Sequence, residues 1–260
     1  MLENKNSKIS LAKLGPFGLI EYIKKAFPVK NKSTLLALND DAAIVDYKSK
    51  KTVVATELMV EGVHFDLSYF PLKHLGYKSV IAAISKLCAM NALPSQVMID
   101  LAISNRFPLE AVEEYYEGVR LACDFYSIDL LHSYTTSSTK GLIVSVTALG
   151  EIKKGEEIYR SKAQEGNLLV LTGDIGAAYM GLQVLEREKQ VFLVNPNNQP
   201  DLDNYSYIIE RQLKPESRTD IKQLLEQLGV KPTAMTLVTN GIVPLSIIKH
   251  HKANSWCSFL

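Results

Sequence analysis

Asp40 and Asp41 stand side by side in LLALNDDAAIVDY, between two apolar runs. Adjacent like charges repel and Asp is depleted in strands. The pair therefore marks either a strand-to-strand turn, for which Asn-Asp is ordinary chemistry, or a site for a hard cation or a phosphate. Three further stretches carry groups of comparable reach. VEGVHFDL sets Glu61, His64 and Asp66 at the end of a β-branched run, as metal ligands or as a hydrogen-bonded turn. HSYTTSS brings the hydroxyls of Thr135 and Thr136 into what reads as a polar turn. TGDIGAAYMG places Gly173 and Asp174 between a strand and a helix. There the exposed N–H groups of a helix N-terminus suit an anion, and the glycines equally suit close helix–strand packing.

The elements that position these groups follow from periodicity. Lys51–Val60 is β-branched and pairs, on this reading, with Ala43–Tyr47 across YKSKK. Leu72–Ala92 has apolar residues at helical spacing, closed by Asn91 and Pro94. Gln96–Ile103 reads as a strand and Pro108–Tyr126 as a helix with Pro at its start and acids in its first turns. Ile128–Leu131 and Gly141–Gly150 read as strands flanking the polar turn HSYTTSSTK. Beyond a charged, glycine-bearing boundary at Glu151–Asn167 come a buried-type strand at Leu168–Thr172, a glycine turn, and a helix at Ala177–Phe192. A loop at Asn195–Asn204, helices at Tyr205–Leu213 and Asp220–Leu228 and a strand at Ala234–Val238 complete the pattern. Such alternation predicts an α/β (α+β) fold with two lobes, residues 1–150 and 151–260.

Composition narrows the function. The chain has 260 residues, 47% hydrophobic and 22% charged, which is ordinary for a globular protein. Lys+Arg 29 against Asp+Glu 28 leaves no field to attract nucleic acid or an anionic membrane. Cys88, Cys123 and Cys257 show no metal or CxxC spacing, and no run reaches membrane-spanning length. The expectation is a cytoplasmic protein with buried free thiols.

Six segments in order, NDDAAIVDY, ATELMVEGVHFDL, LGYKSVIAAISKLCAMNALP, TTSSTKGLIVSVTALGEI, YRSKA and TGDIGAAYMGLQVLEREK, resemble the thiamine-monophosphate kinase family of the aminoimidazole ribonucleotide synthetase superfamily. The resemblance implies a synthetase-like fold whose N-terminal sheet pairs across a homodimer, followed by a C-terminal α/β domain that is incomplete here. It implies magnesium and ATP, with thiamine monophosphate as the phosphoryl acceptor. It places magnesium at Asp40, Asp41 and Glu57, and substrate or nucleotide at Glu61, His64, Asp66, Thr135, Thr136, Arg160, Gly173 and Asp174.

Departures from the family pattern fall in its acidic site. Asn39 replaces a glycine and Glu57 an Asp, while acids of the pattern are replaced by Lys86, Tyr134, Leu237 and Asn240. Phosphoryl transfer depends on positioning and charge neutralisation, so the expectation is a kinase-like protein with impaired catalysis. Two alternatives are a non-catalytic relative that binds a nucleotide or thiamine phosphate, and a dimer with a structural or partner role.

Overall fold

The computed structural model describes residues 23–36, 44–48, 50–159, 162–197, 199–200 and 202–239, so Asp40, Asp41, Arg160, Asn240 and Cys257 lie outside the described residues. The element order is β1 (Thr34–Leu36), β2 (Ile44–Val45), β3 (Lys51–Val60), α1 (Leu72–Cys88), β4 (Leu93–Ile103), α2 (Leu109–Tyr126), β5 (Asp129–Ser137), β6 (Ile143–Ile152), α3 (Ala177–Val194), α4 (Ser206–Leu213) and α5 (Ile221–Gln227). Four strands form a sheet in the order β3-β6-β4-β5, and β1 pairs antiparallel with β2 in a separate ribbon. This is an α/β fold, as the periodicity predicts.

Position in the sheet explains the strand sequences. In β6, flanked on both sides, Val144, Val146, Ala148 and Ile152 are buried and the intervening residues are half-buried. Strand β4 is buried over Val97, Ile99, Leu101 and Ile103 and runs parallel to β5. Strand β3 is an edge, and Val54 and Leu58 on it are more than half exposed. The Glu61 N–H donates to the Leu142 carbonyl at 3.0 Å, and Lys50 at the head of β3 pairs with Glu151 at the tail of β6. The two strands are therefore antiparallel.

Helices α1 and α2 each stop where a left-handed residue turns the chain. Asn91 has φ 68°, with the Ala92 N–H donating to the Leu87 carbonyl and the Asn91 N–H to that of Cys88. Ser127, at φ 55°, does the same for α2, with the Ile128 N–H on the Cys123 carbonyl. The two helices touch backbone to backbone. A Cβ on Gly76 would lie 1.9 Å from the Tyr115 carbonyl oxygen, and one on Gly118 would lie 1.8 Å from that of Lys73. Ser79 and Tyr115 share a buried hydroxyl contact of 3.0 Å beside this crossing.

The residues cluster into two compact units, one of 1–48, 54–83 and 95–149, the other of 49–53, 84–94 and 150–260. In the second, α3 packs on α4 through Gly181, whose added Cβ would lie 2.1 Å from the Ile208 carbonyl oxygen, with Val184, Leu185 and Leu213 buried. Lys222 joins α5 to Glu156 at 2.9 Å and to the Asn91 carbonyl at 3.3 Å. Among the described residues no helix is long and apolar enough to cross a membrane.

Four expectations are corrected. The β2 segment pairs with β1 in a separate antiparallel ribbon, not with β3, whose partner is β6. His132–Ser137 is not a turn but the second half of β5, held in register by β4 from Met98↔His132 to Ile103↔Ser137. Leu168–Thr172 is neither a strand nor buried, with Leu168 93% and Val170 79% exposed, and Ala234–Val238 is not a strand. Apolar composition alone does not make a strand, which needs a neighbour's N–H and C=O groups, and none of the described residues supplies them there.

Candidate functional site

The parallel pair β4 and β5 ends in step, and the Ser138 N–H extends the ladder to the Ile103 carbonyl at 3.0 Å. Beyond the ends the chains separate, as ligand crevices in open α/β sheets require. After β4 the chain turns at Ser104, whose carbonyl accepts the Phe107 N–H at 3.1 Å and whose hydroxyl accepts the Arg106 N–H at 3.4 Å. Pro108 then starts α2. After β5 the Ser138 hydroxyl accepts the Lys140 N–H at 3.1 Å, and Gly141, at φ 95°, swings the chain into β6.

Glu61 closes the same end from β3. Its carboxylate accepts the Leu142 N–H at 2.7 Å, and a Cβ on Gly141 would approach that Oε2 to 2.7 Å. With Glu61, the residues Ser104, Asn105, Arg106, Phe107, Ser138, Thr139 and Gly141 enclose a cleft of about 430 Å³. Arg106 is its one cationic lining residue, and its guanidinium makes no ion pair with any described residue.

Thr135 and Thr136 occupy β5 opposite Leu101 and Ala102, just short of the cleft. Thr136 is exposed, whereas the Thr135 hydroxyl is buried without a hydrogen-bond partner in the structure. His64 is exposed and bonded to its own loop: the Val60 N–H donates to its Nδ1 at 3.1 Å. Asp66 is likewise a turn residue, its carboxylate accepting the Ser68 N–H at 2.8 Å. Glu57 is half-buried in the middle of β3. Four residues along a strand separate it from Glu61 by about 13 Å, too far for one small cation to be held directly by both.

Gly173 and Asp174 belong to the other unit. Gly173 and Gly176 both have φ 93°, forming the glycine turn before α3. Asp174 is bound to α4, accepting the Tyr207 hydroxyl and lying 3.4 Å from the Arg211 Nε. The carboxylate holds the Tyr207 phenol above its usual range.

Among the described residues no group of three His, Cys, Asp or Glu gathers as a metal site. Ser104–Phe107 and Thr139–Gly141 carry no site expectation from the sequence, and Ser138 only that of a polar turn. Their signal was present in the polar SNRF run before Pro108 and in the glycine that ends TTSSTKG.

Residues 39–152 match the family described as AIR synthase related protein, N-terminal domain. The chain is 31% identical over 215 residues to thiamine-monophosphate kinase of Bacillus subtilis, covering 82% of this chain and 63% of that one. It is 32% identical over 233 residues to thiamine-monophosphate kinase of Aquifex aeolicus, covering 90% of this chain and 69% of that one. The chain thus spans about two-thirds of the length of these relatives. Its fold resembles the solved structure of AaThiL complexed with AMPPCP and TMP, at TM-score 0.59 and 28% identity, over 85% of this chain and 66% of that one.

Proposed function

The chain belongs to the thiamine-monophosphate kinase family, and we propose that it binds ATP and thiamine monophosphate with weak or absent turnover to thiamine diphosphate. One observation carries the binding half: the AaThiL structure holds AMPPCP and TMP together on the fold shared with this chain. AMPPCP is a stable analogue of ATP, and TMP in this family is read as thiamine monophosphate. In the full reaction an acceptor phosphate oxygen forms a bond to the γ-phosphorus of ATP, the β–γ bridging P–O bond breaks, and ADP leaves.

The catalytic half rests on which residue types stand at the acidic positions of the family pattern. Lys86, half-buried in the last turn of α1, and Tyr134, 57% exposed on β5, stand where the family pattern has acids. Neither is a ligand for a hard dication. Asp40 and Asp41 lie outside the described residues, and no described cluster supplies three ligands. These described residues do not by themselves fit a magnesium centre.

The proposal includes a homodimer and a cytoplasmic location. Among the described residues the second edge of β3 has no partner strand, and with Val54 and Leu58 exposed this supports pairing between subunits. Two buried free thiols, Cys88 and Cys123, support a reducing compartment. Light scattering at micromolar concentration reads the first directly, and a monomer would contradict it.

Thermal shift tests binding. Any ligand specific for the folded state raises the melting temperature, by the equivalent of about 2.7 kcal/mol at a hundredfold excess over Kd. AMPPCP and thiamine monophosphate should each do so. If neither shifts the curve, the reading as a purely structural or partner protein replaces this one.

A further inference from the structure

We propose that Asp129 and Gln96 are positioning residues for the nucleotide side of the site: they clamp both ends of the segment that carries Asp40 and Asp41. The assignment rests on the kinase reading above, in which the acidic pair serves ATP. It adds the buried groups that set where this segment leaves the sheet.

Both anchors sit near the amino ends of β4 and β5, where Gln96 lies opposite Asp129 in the parallel register, and both are buried. The Asp129 carboxylate accepts the Lys30 N–H at 2.6 Å, the Asn31 N–H at 2.9 Å and the Thr34 hydroxyl at 2.6 Å. The Gln96 side-chain amide donates to the Ser33 hydroxyl at 2.7 Å and the Thr34 hydroxyl at 2.9 Å, and its oxygen accepts the Tyr47 hydroxyl. Residues 30–34 lead into β1 and Tyr47 follows β2, and the Asp46 N–H closes the base of this ribbon on the Ser33 carbonyl at 2.9 Å. Residues 37–43, Asp40 and Asp41 among them, join β1 to β2. Two neighbouring side chains thus hold the chain before and after that connection.

Stability alone does not call for these groups. A buried carboxylate is costly unless it is well bonded, and an apolar pair of similar volume would pack residues 30–34 without that cost. The Lys30 ammonium is bonded to the Asp124 carboxylate at 2.6 Å and the Cys123 carbonyl at 3.2 Å. The donors that meet the Asp129 charge are therefore two successive main-chain N–H groups and one hydroxyl. What such a network secures is register. A slip of one residue would take Thr34 from both anchors and turn its side chain to the other face. Ligand-bearing loops act from scaffolds that hold their ends, and this register sets where the connection bearing Asp40 and Asp41 begins and ends.

Titration calorimetry on the intact chain in magnesium buffer, with AMPPCP and thiamine monophosphate as probes, tests the assignment together with amide hydrogen exchange. Asp129→Asn should weaken AMPPCP about tenfold or more, the scale on which groups that orient ligand-bearing residues act. Tyr47→Phe, which removes only a bond to Gln96, should weaken it by a few-fold. Both should leave thiamine monophosphate binding unchanged and speed exchange across residues 33–47. Ser79→Ala, which loses a buried hydroxyl contact at the α1–α2 crossing, should change neither affinity, separating position from stability. AMPPCP bound equally by the parent and the folded variants, or both probes weakened alike, overturns the assignment alone. Neither probe bound by the parent overturns the kinase reading and this assignment together. Should Asp129→Asn fail to fold, Tyr47→Phe decides, with a cooperative melting curve to establish that it is folded.

Discussion

Glu61 and Leu142 hold each other twice: the Glu61 N–H donates to the Leu142 carbonyl at 3.0 Å, and the Leu142 N–H donates to the Glu61 carboxylate at 2.7 Å. The second bond continues the β3–β6 pairing past the last strand residue and fixes an acid at the mouth of the cleft. Glu61→Ala should cost about 1–2 kcal/mol through the unpaired N–H. Gly141→Ala should cost about 1–3 kcal/mol, because φ 95° strains an L-residue and its Cβ would press on Glu61. Urea unfolding reads both. If the two substitutions are independent, their costs add in the double variant; coupling through this contact predicts a smaller sum.

The crossing of α1 and α2 sets the second expectation. A methyl group on Gly118 would overlap the Lys73 carbonyl at 1.8 Å, and a carbonyl in a packed helix cannot swing aside. Gly118→Ala should therefore destabilise by about 3 kcal/mol or more, despite the better helix propensity of Ala. A melting temperature equal to the parent's would show that the helices separate freely.

Burial also shapes the response to alkali. It pushes the Cys88 thiol up to about 11 and the Cys123 thiol up to about 12, and it raises the Tyr115 and Tyr116 phenols. In each case the unfolded chain loses its proton first, so stability is full below the unfolded value and falls as pH rises above it, from 9.0 for the thiols. Lys78, packed over the Phe70 ring at 5.1 Å, works the other way. Burial lowers its ammonium from 10.5 to about 8, so it adds stability between those values. Four falling contributions outweigh one rising contribution, and the urea midpoint should decline above about pH 10. A midpoint that is flat or rising to pH 11 would contradict the burial of these groups.

Legibility in the sequence followed the source of each signal. Helices α1 and α2 and strand β6 were readable because their apolar periods match the faces they bury. Strand β5 was readable only in its first residues, because its second half is HSYTTS, and hydroxyl residues suit a turn as well as an edge strand whose outer face meets water. Leu168–Leu171 has the composition of a core strand yet lies exposed, since pairing comes from another segment and not from its own residues. Of the candidate site, Glu61 was readable from VEGVHF. His64 and Asp66 in the same motif serve their own turn, and only hydrogen-bond geometry separates the three. The cleft that Arg106 lines depends on two strands ending together, which no local pattern encodes.

The central claim is that the fold persists while the transfer chemistry is impaired. The direct measurement is formation of thiamine diphosphate from ATP, magnesium and thiamine monophosphate by the parent chain and by the double variant Lys86→Asp/Tyr134→Asp, which restores two acids. The account predicts no product above background from the parent and more from the double variant, provided its melting curve remains cooperative. Turnover by the parent at an ordinary kinase rate of about 1–100 per second, abolished by Asp40→Asn, would contradict it.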